Sequence, residues 1–174
     1  MNSAALFVAL VLLVGIERIA ELVVSKRHIA WSLANGGREF GAGHYPAMVL
    51  LHTALLVGAV AEVLAGHRPF LPWLGWPMLV VVVAAQSVRW WCIRSLGMHW
   101  NTRVLVIPGS TLVRTGAYRW LRHPNYVAVI AEGLALPLVH TAWLTAVIFT
   151  AGNAWLLTVR IRTENAALTT AFAR

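Results

Sequence analysis

The sequence has no aspartate, one lysine and one cysteine, and these absences narrow its chemistry before any motif is read. Cys92 stands alone among Trp90, Trp91 and Ile93, which excludes a disulfide framework and any cysteine-based metal site; it reads as a packing residue. The seven histidines are never closer than eight residues, so there is no HxxxH or HxxH pair, and a metal centre is not expected. Serine nucleophiles lack an elbow or a catalytic lysine partner, and no G-x-G-x-x-G opens a dinucleotide fold. Charged residues make up only 11% of the chain, against roughly 25% in a soluble domain. Repeats, low-complexity tracts and linkers are also missing, so one domain is expected over residues 1–174.

What is abundant is apolar surface: 59% of the residues are hydrophobic and the mean hydropathy is +0.71. Apolar runs near 3–24, 46–64, 76–93, 124–139 and 141–160 approach the ~20 residues a helix needs to cross a bilayer. The net charge of +8 is almost entirely arginine, placed in the loops between those runs, a pattern of membrane topology and anionic lipid rather than of a nucleic-acid groove. Lys26, Arg27 and Arg38 occupy the first loop, Arg68 the second, Arg94, Arg103, Arg114, Arg119 and Arg122 the third, and Arg160, Arg162 and Arg174 the tail. This alternation predicts an all-α integral membrane bundle of about five transmembrane helices, with the amino terminus outside and the third loop and tail cytoplasmic. The first run lacks a basic n-region and continues into Glu17-Arg18-Ile19-Ala20-Glu21, so it reads as a span and not a cleaved signal. Trp73, Trp76, Trp90, Trp91, Trp100, Trp120 and Trp143 fall near span ends, where indole anchors at the interface. Within the third loop, two β-rich runs flank Pro108-Gly109, predicting a short hairpin-like flap over 102–114.

Polar residues inside spans cost about 2.5–3.5 kcal/mol each and read as functional by default. Glu17, Arg18, Glu21, His52, Gln86, Arg89 and Glu132 all fall toward the predicted cytoplasmic ends, Glu132 roughly 12 Å into the fourth span. Together they predict a polar cavity open to that face. Each also has a packing alternative: Glu17 and Glu21 paired with Arg18 or Arg89, His52 hydrogen-bonded in the bundle, Gln86 joining helices, Glu132 paired with Arg89. Arg122-His123-Pro124-Asn125-Tyr126 is the densest polar segment. Pro124 suits the first turn of a helix, whose exposed amides and positive dipole end attract an anionic group. Arg122 and His123 add donors there, and Tyr118 and Tyr126 add aromatic surface for a purine or a sulfonium. An interfacial Arg-Tyr anchor is the alternative.

Gly116-Ala117-Tyr118, Arg122 to Tyr126, and the tail Arg160-Ile161-Arg162-Thr163-Glu164-Asn165 with Leu168 and Phe172 resemble the isoprenylcysteine carboxyl methyltransferases and their bacterial relatives, over roughly residues 90–172. The resemblance implies an S-adenosylmethionine-dependent membrane enzyme whose third loop and C-terminal helix close over the cofactor, while a lipophilic acceptor enters from the bilayer. It places cofactor contacts on Ser110, Thr111, Leu112, Val113, Tyr118, His123, Pro124, Asn125, Tyr126 and Glu164, with Arg122 beside them, and a substrate-orienting role on Arg160. Residues 94–174 then carry the cofactor and the chemistry, and 1–93 form a three-helix scaffold on the lipid-substrate side. Arg103 stands where a relative that methylates prenylated protein has glutamine, and Asn165 where the family commonly has a second glutamate.

Ser25-Lys26-Arg27, Gly36-Gly37-Arg38-Glu39, His44-Tyr45 and Ser95 to Arg103 resemble the short bacterial branch, associated with O-methylation of long-chain alkylpyrones or alkylresorcinols from type III polyketide synthases. The acceptor expected from this is such a hydroxyl, with a prenylcysteine carboxylate as the alternative and a polyketide synthase as a pathway partner. A phenol gains from a base, for which Glu132 and His52 are the candidates beside Arg160. Rivals of other classes are an NADPH-dependent membrane reductase and a non-catalytic lipid-binding protein. The expected location is a bacterial cytoplasmic membrane.

Overall fold

In the computed structural model, residues 2–109 and 113–172 are described, with side chains through residue 169. Five helices account for most of them. Helix α1 (Ser3–Ala34) starts where the Asn2 side chain accepts from the Ala4 amide at 3.2 Å, and it runs ten residues beyond the predicted end of the first span. The charged Ser25-Lys26-Arg27 segment did not stop it, because nothing there breaks a helix. Helices α2 (Tyr45–Ala65), α3 (Pro72–Leu96) and α4 (Pro124–Leu138) follow the apolar runs, and each carries a proline in its first turn. Helix α5 (Trp143–Phe172) joins the predicted fifth span and the predicted C-terminal helix into one continuous element. By length and composition, segments 42–65, 72–99 and 143–169 are each sufficient to cross a bilayer.

Helix α4 is different. Its 15 residues rise about 22 Å, short of the ~30 Å hydrocarbon core. It is instead the helix most enclosed by its neighbours: Ala128, Glu132, Gly133, Ala135, Leu136 and Pro137 are all buried. Leu136 meets Phe7, Ala59 and Val82 in the core shared by α1–α4. Gly133 lets α5 approach, since a Cβ there would lie 1.9 Å from the Phe149 ring. Outward, Leu50, Val80 and Val147 expose 65–70% of their surface, part of the apolar belt that a lipid-facing exterior requires.

Within the expected flap over 102–114, the strand pairing among the described residues is long-range. Val104–Val106 is a strand, β2, but its partner is β1 (Arg38–Phe40) from the α1–α2 connection, antiparallel with Arg38 opposite Val106 and Phe40 opposite Val104. Burial supports this pairing: Val104 and Val106 pack with Phe40 against Ala167 and Leu168 of α5. Residues 110–112 of the expected flap lie outside the described residues. The ribbon brings the α1–α2 connection, the α3–α4 connection and the end of α5 to one end of the bundle, here the loop end. The opposite end is closed by Ser3 against His140 and by Glu62, which accepts from the Leu144 and Thr145 amides at 3.1 and 2.8 Å and so caps α5 from a neighbouring helix.

Candidate functional site at the loop end of the bundle

A cavity of about 790 Å³ opens beneath the ribbon, between the start of α4, the last turns of α5 and the α3–α4 connection. That size is in the range of small-molecule sites, roughly 300–1,000 Å³. Pro124 begins α4 at this point, and the His123 ring stacks on Tyr126, 5.1 Å between centroids and 15° from parallel. From α5, Arg160 and Glu164 lie one turn apart and close on the same phenol. Arg160 donates through Nε to the Tyr126 hydroxyl at 3.0 Å, and that hydroxyl donates to Glu164 Oε2 in a short hydrogen bond. Arg160 also donates through Nη1 to the Thr102 carbonyl at 2.8 Å.

Charge in this cavity is lopsided. Arg103, Arg114, Arg119, Arg122 and Arg160 line it, against Glu164 alone among the acids. Arg103 is held by Glu39 at 3.1 Å and lies over the Tyr45 ring, which ties the ribbon to the rim. Arg160, only 8% exposed, has no side-chain carboxylate within ion-pair distance among the described residues. Asn125 presents a buried Oδ1 without a partner, an acceptor left for a ligand's donor. Tyr118, in the 3-10 turn Gly116–Arg119, has its phenol pushed above the usual range, first by burial and then by the neighbouring Cys92 thiol to which it is hydrogen-bonded. It therefore faces the cavity as a neutral hydroxyl.

Deeper in the bundle lies a second polar cluster, separate from the cavity. Arg18 donates to Glu21 at 2.7 Å, to Gln86 at 2.5 Å and to Glu132 at 3.1 Å. Arg89 forks onto both oxygens of Glu21, its Nε at 2.9 Å, and Glu17 accepts from Gln86 and from the Trp90 indole. Three carboxylates, two guanidiniums and an amide thus join α1, α3 and α4 in a network that pairs each of these charges and leaves only Arg18 Nε among its polar atoms buried without a partner. The partner of Glu132 is Arg18, not the anticipated Arg89.

The model of the isoprenylcysteine carboxyl methyltransferase (ICMT) family matches residues 78–170. That is more than half of the chain. The chain belongs to the isoprenylcysteine carboxyl methyltransferase family. Among relatives of this ICMT-family chain is the uncharacterized protein YpbQ of Bacillus subtilis strain 168, 40% identical over 164 residues and covering 94% of this chain and 96% of its own. An uncharacterized protein of Haemophilus influenzae Rd is 25% identical over 160 residues, covering 90% and 91%. Among solved structures, the eukaryotic intramembrane Ras methyltransferase ICMT superposes with a TM-score of 0.58 at 24% identity, a likeness of fold. It covers 73% of this chain but 47% of that one, so the chain spans about half the length of that enzyme.

The ICMT-family match begins in α3 and takes in α4, α5 and the connection between them, the segments that build most of the cavity. Within it, Val113, Tyr118, Arg122, His123, Asn125, Tyr126, Arg160 and Glu164 share the cavity wall. Pro124 is buried beside them and sets the helix start. Ser110, Thr111 and Leu112 lie outside the described residues. Glu132 and His52 are not brought to the cavity. Glu132 is engaged in the network above, and His52 bonds the Met48 carbonyl at 2.8 Å and stands edge-on to Phe149. His99, Asn101 and Leu168 also line the wall and were not anticipated as contacts. For His99 and Asn101 the available signal was a run of polar residues directly after the basic end of α3; for Leu168, it was the apolar spacing on the last turns of α5.

Proposed function

We propose that the chain is an S-adenosylmethionine-dependent O-methyltransferase of the membrane, acting on a lipophilic acceptor at the loop end of the bundle. Membership of a family of membrane methyltransferases supports the reaction class. The observation that carries the site is the clasp of Tyr126 between Arg160 and Glu164, inside a cavity that also holds the stacked His123 ring and the unpartnered Asn125 Oδ1. These groups fit the cofactor. The aromatic pair offers a face for a purine or a sulfonium, Asn125 an acceptor for an amine, and Arg122 and the first turn of α4 donors for a carboxylate. Residues 110–113 complete the proposed contacts.

When bound, the cofactor supplies an electrophilic methyl carbon: the acceptor oxygen's lone pair forms the new O–C bond while the C–S bond breaks, its electron pair passing to sulfur. The protein's part is placement and charge. Arg160, held at Nε by Tyr126 and at Nη1 by Thr102, keeps a fixed positive charge at the wall, where it orients an anionic oxygen and stabilises it before transfer. Glu164 locks the phenol that locks Arg160. Apolar surface on the bundle receives the alkyl chain. In this reading residues 1–174 form one membrane-embedded unit, in a bacterial cytoplasmic membrane with the loop end facing the cytoplasm.

The acceptor favoured by the sequence resemblance is the hydroxyl of a long-chain alkylpyrone or alkylresorcinol. One observation favours the alternative, a prenylcysteine carboxylate: Glu132 and His52, the candidate bases, stand outside the cavity, and a carboxylate needs none. Purified protein incubated with labelled S-adenosylmethionine and a panel of alkylpyrones, alkylresorcinols and prenylcysteines tests both. A labelled lipophilic product supports the proposal and names the acceptor. Binding of NADPH without binding of S-adenosylmethionine overturns it in favour of a reductase, and binding of neither leaves a lipid-binding protein.

A further inference from the structure

We infer that Ser25, on the first helix and far in sequence from the cavity, is a positioning residue that fixes the acceptor-orienting Arg160 through Thr102. The inference rests on the methyltransferase reading above and extends it to a half of the chain that the family model does not cover.

Hydroxyls on transmembrane helices ordinarily turn back to the carbonyl four residues earlier. Thr53, Ser87, Ser95 and Thr158 all do so here, at 2.8–2.9 Å. Ser25 does not. Its side chain is 1% exposed and reaches across to the α3–α4 connection, where Oγ accepts from the Thr102 amide at 2.9 Å and meets Thr102 Oγ1 at 2.9 Å. Two bonds from one buried hydroxyl fix both the backbone and the side chain of Thr102. The carbonyl of that residue then accepts from Arg160 Nη1 at 2.8 Å, while Tyr126 holds Nε at 3.0 Å. Arg160 therefore has two oxygen partners, one built by α4 and the other supported by α1 through Thr102, besides a longer contact of Nη1 with Met48 Sδ on α2 at 3.5 Å. Its planar fork loses direction if either support moves. The Tyr126 support also carries Glu164 and the stacked His123, so it couples to the cofactor side. The Ser25 support touches Arg160 alone among the proposed cofactor and catalytic groups, which predicts an effect confined to the acceptor.

The test compares Ser25→Ala, Ser25→Thr and Thr102→Val with wild type in lipid nanodiscs. It uses the acceptor identified by the labelling panel and reads thermal midpoint, calorimetric Kd for S-adenosylmethionine, and steady-state kinetics. Ser25→Ala is expected to lower kcat/KM for the acceptor roughly tenfold, the effect of leaving one buried partner unsatisfied, with the cofactor Kd unchanged within twofold. Ser25→Thr, which keeps the hydroxyl, returns kcat/KM to within about threefold of wild type. Thr102→Val keeps the backbone bond to Ser25, removes the side-chain bond together with a longer 3.5 Å contact to the Tyr45 hydroxyl, and gives a smaller loss of the same kind; it takes the place of Ser25→Ala if that variant does not fold. The inference is overturned by unchanged acceptor kinetics, by a loss shared equally by cofactor Kd and acceptor KM, or by a loss that Ser25→Thr does not repair. A wild type that neither binds S-adenosylmethionine nor transfers its methyl group is a different failure: it removes the methyltransferase reading and this inference with it.

Discussion

Arg160 and Tyr126 are joined by a 3.0 Å hydrogen bond from guanidinium Nε to phenol oxygen, and this bond connects the second half of α5 to the first turn of α4. The phenol in turn donates a hydrogen bond to Glu164, one turn farther along α5, so one side chain sets the spacing between two helices and the direction of a cation.

Removing that hydroxyl alone should show what it holds. Tyr126→Phe keeps the ring against His123 but leaves Arg160 Nε and Glu164 without their shared partner. Affinity for S-adenosylmethionine is expected to weaken about tenfold by calorimetry, and kcat for the acceptor to fall by more, because Arg160 loses one of its two oxygen partners.

The buried network should behave as structure. Arg18→Gln withdraws the charge that faces Glu21 and Glu132 and is expected to cost about 3–5 kcal/mol, read as a large drop in thermal midpoint or a failure to accumulate in the membrane. Glu132→Gln keeps an acceptor for Arg18 and should be milder. With a carboxylate acceptor, Glu132→Gln and His52→Ala are both expected to retain turnover within a few-fold. A hundredfold loss in either, at unchanged cofactor binding, would return that residue to the chemistry.

Two glycines make a matched pair. A Cβ on Gly133 would lie 1.9 Å from Phe149, whereas one on Gly58 would meet Thr145 at an ordinary 3.4 Å. Gly133→Ala should push α4 from α5 and cost about 1–3 kcal/mol, with activity falling as the Tyr126–Arg160 contact opens. Gly58→Ala should be near neutral in the same melting experiment.

Tyr118 makes a pH prediction. Its phenol is held above the usual range, so the folded protein keeps a proton that an unfolded tyrosine gives up near pH 10. Its contribution to stability is full below about pH 10 and is lost as pH rises beyond it. Tyr118→Phe should therefore flatten the alkaline decline in thermal midpoint.

The apolar runs and the arginine placement made the bundle legible, because span length and charge asymmetry are local properties. Pro124 announced the start of α4 to the residue, since its ring suits the first turn. The gathering of Tyr126, Arg160 and Glu164 in one cavity could be expected only through family resemblance: nothing local says that α5 folds back across α4. The partner of the flap's first strand was hidden for the same reason. Val104–Val106 has strand character on its own, but its partner lies more than sixty residues earlier, and the seat on Ala167 and Leu168 supports it. The role of Ser25 was invisible, for a serine within a basic segment looks like any solvated helix residue until Thr102 is beside it.

The shortness of α4 has a bearing on traffic. A helix about 22 Å long leaves part of a layer of about 30 Å unspanned, and we place that gap at its loop end. In the proposed reading, a greasy reactant would need only to drift along the leaflet to present its reactive oxygen, never surfacing, while the water-borne one would descend a short basic shaft to reach it. Partners that share no solvent would thereby meet at a common depth.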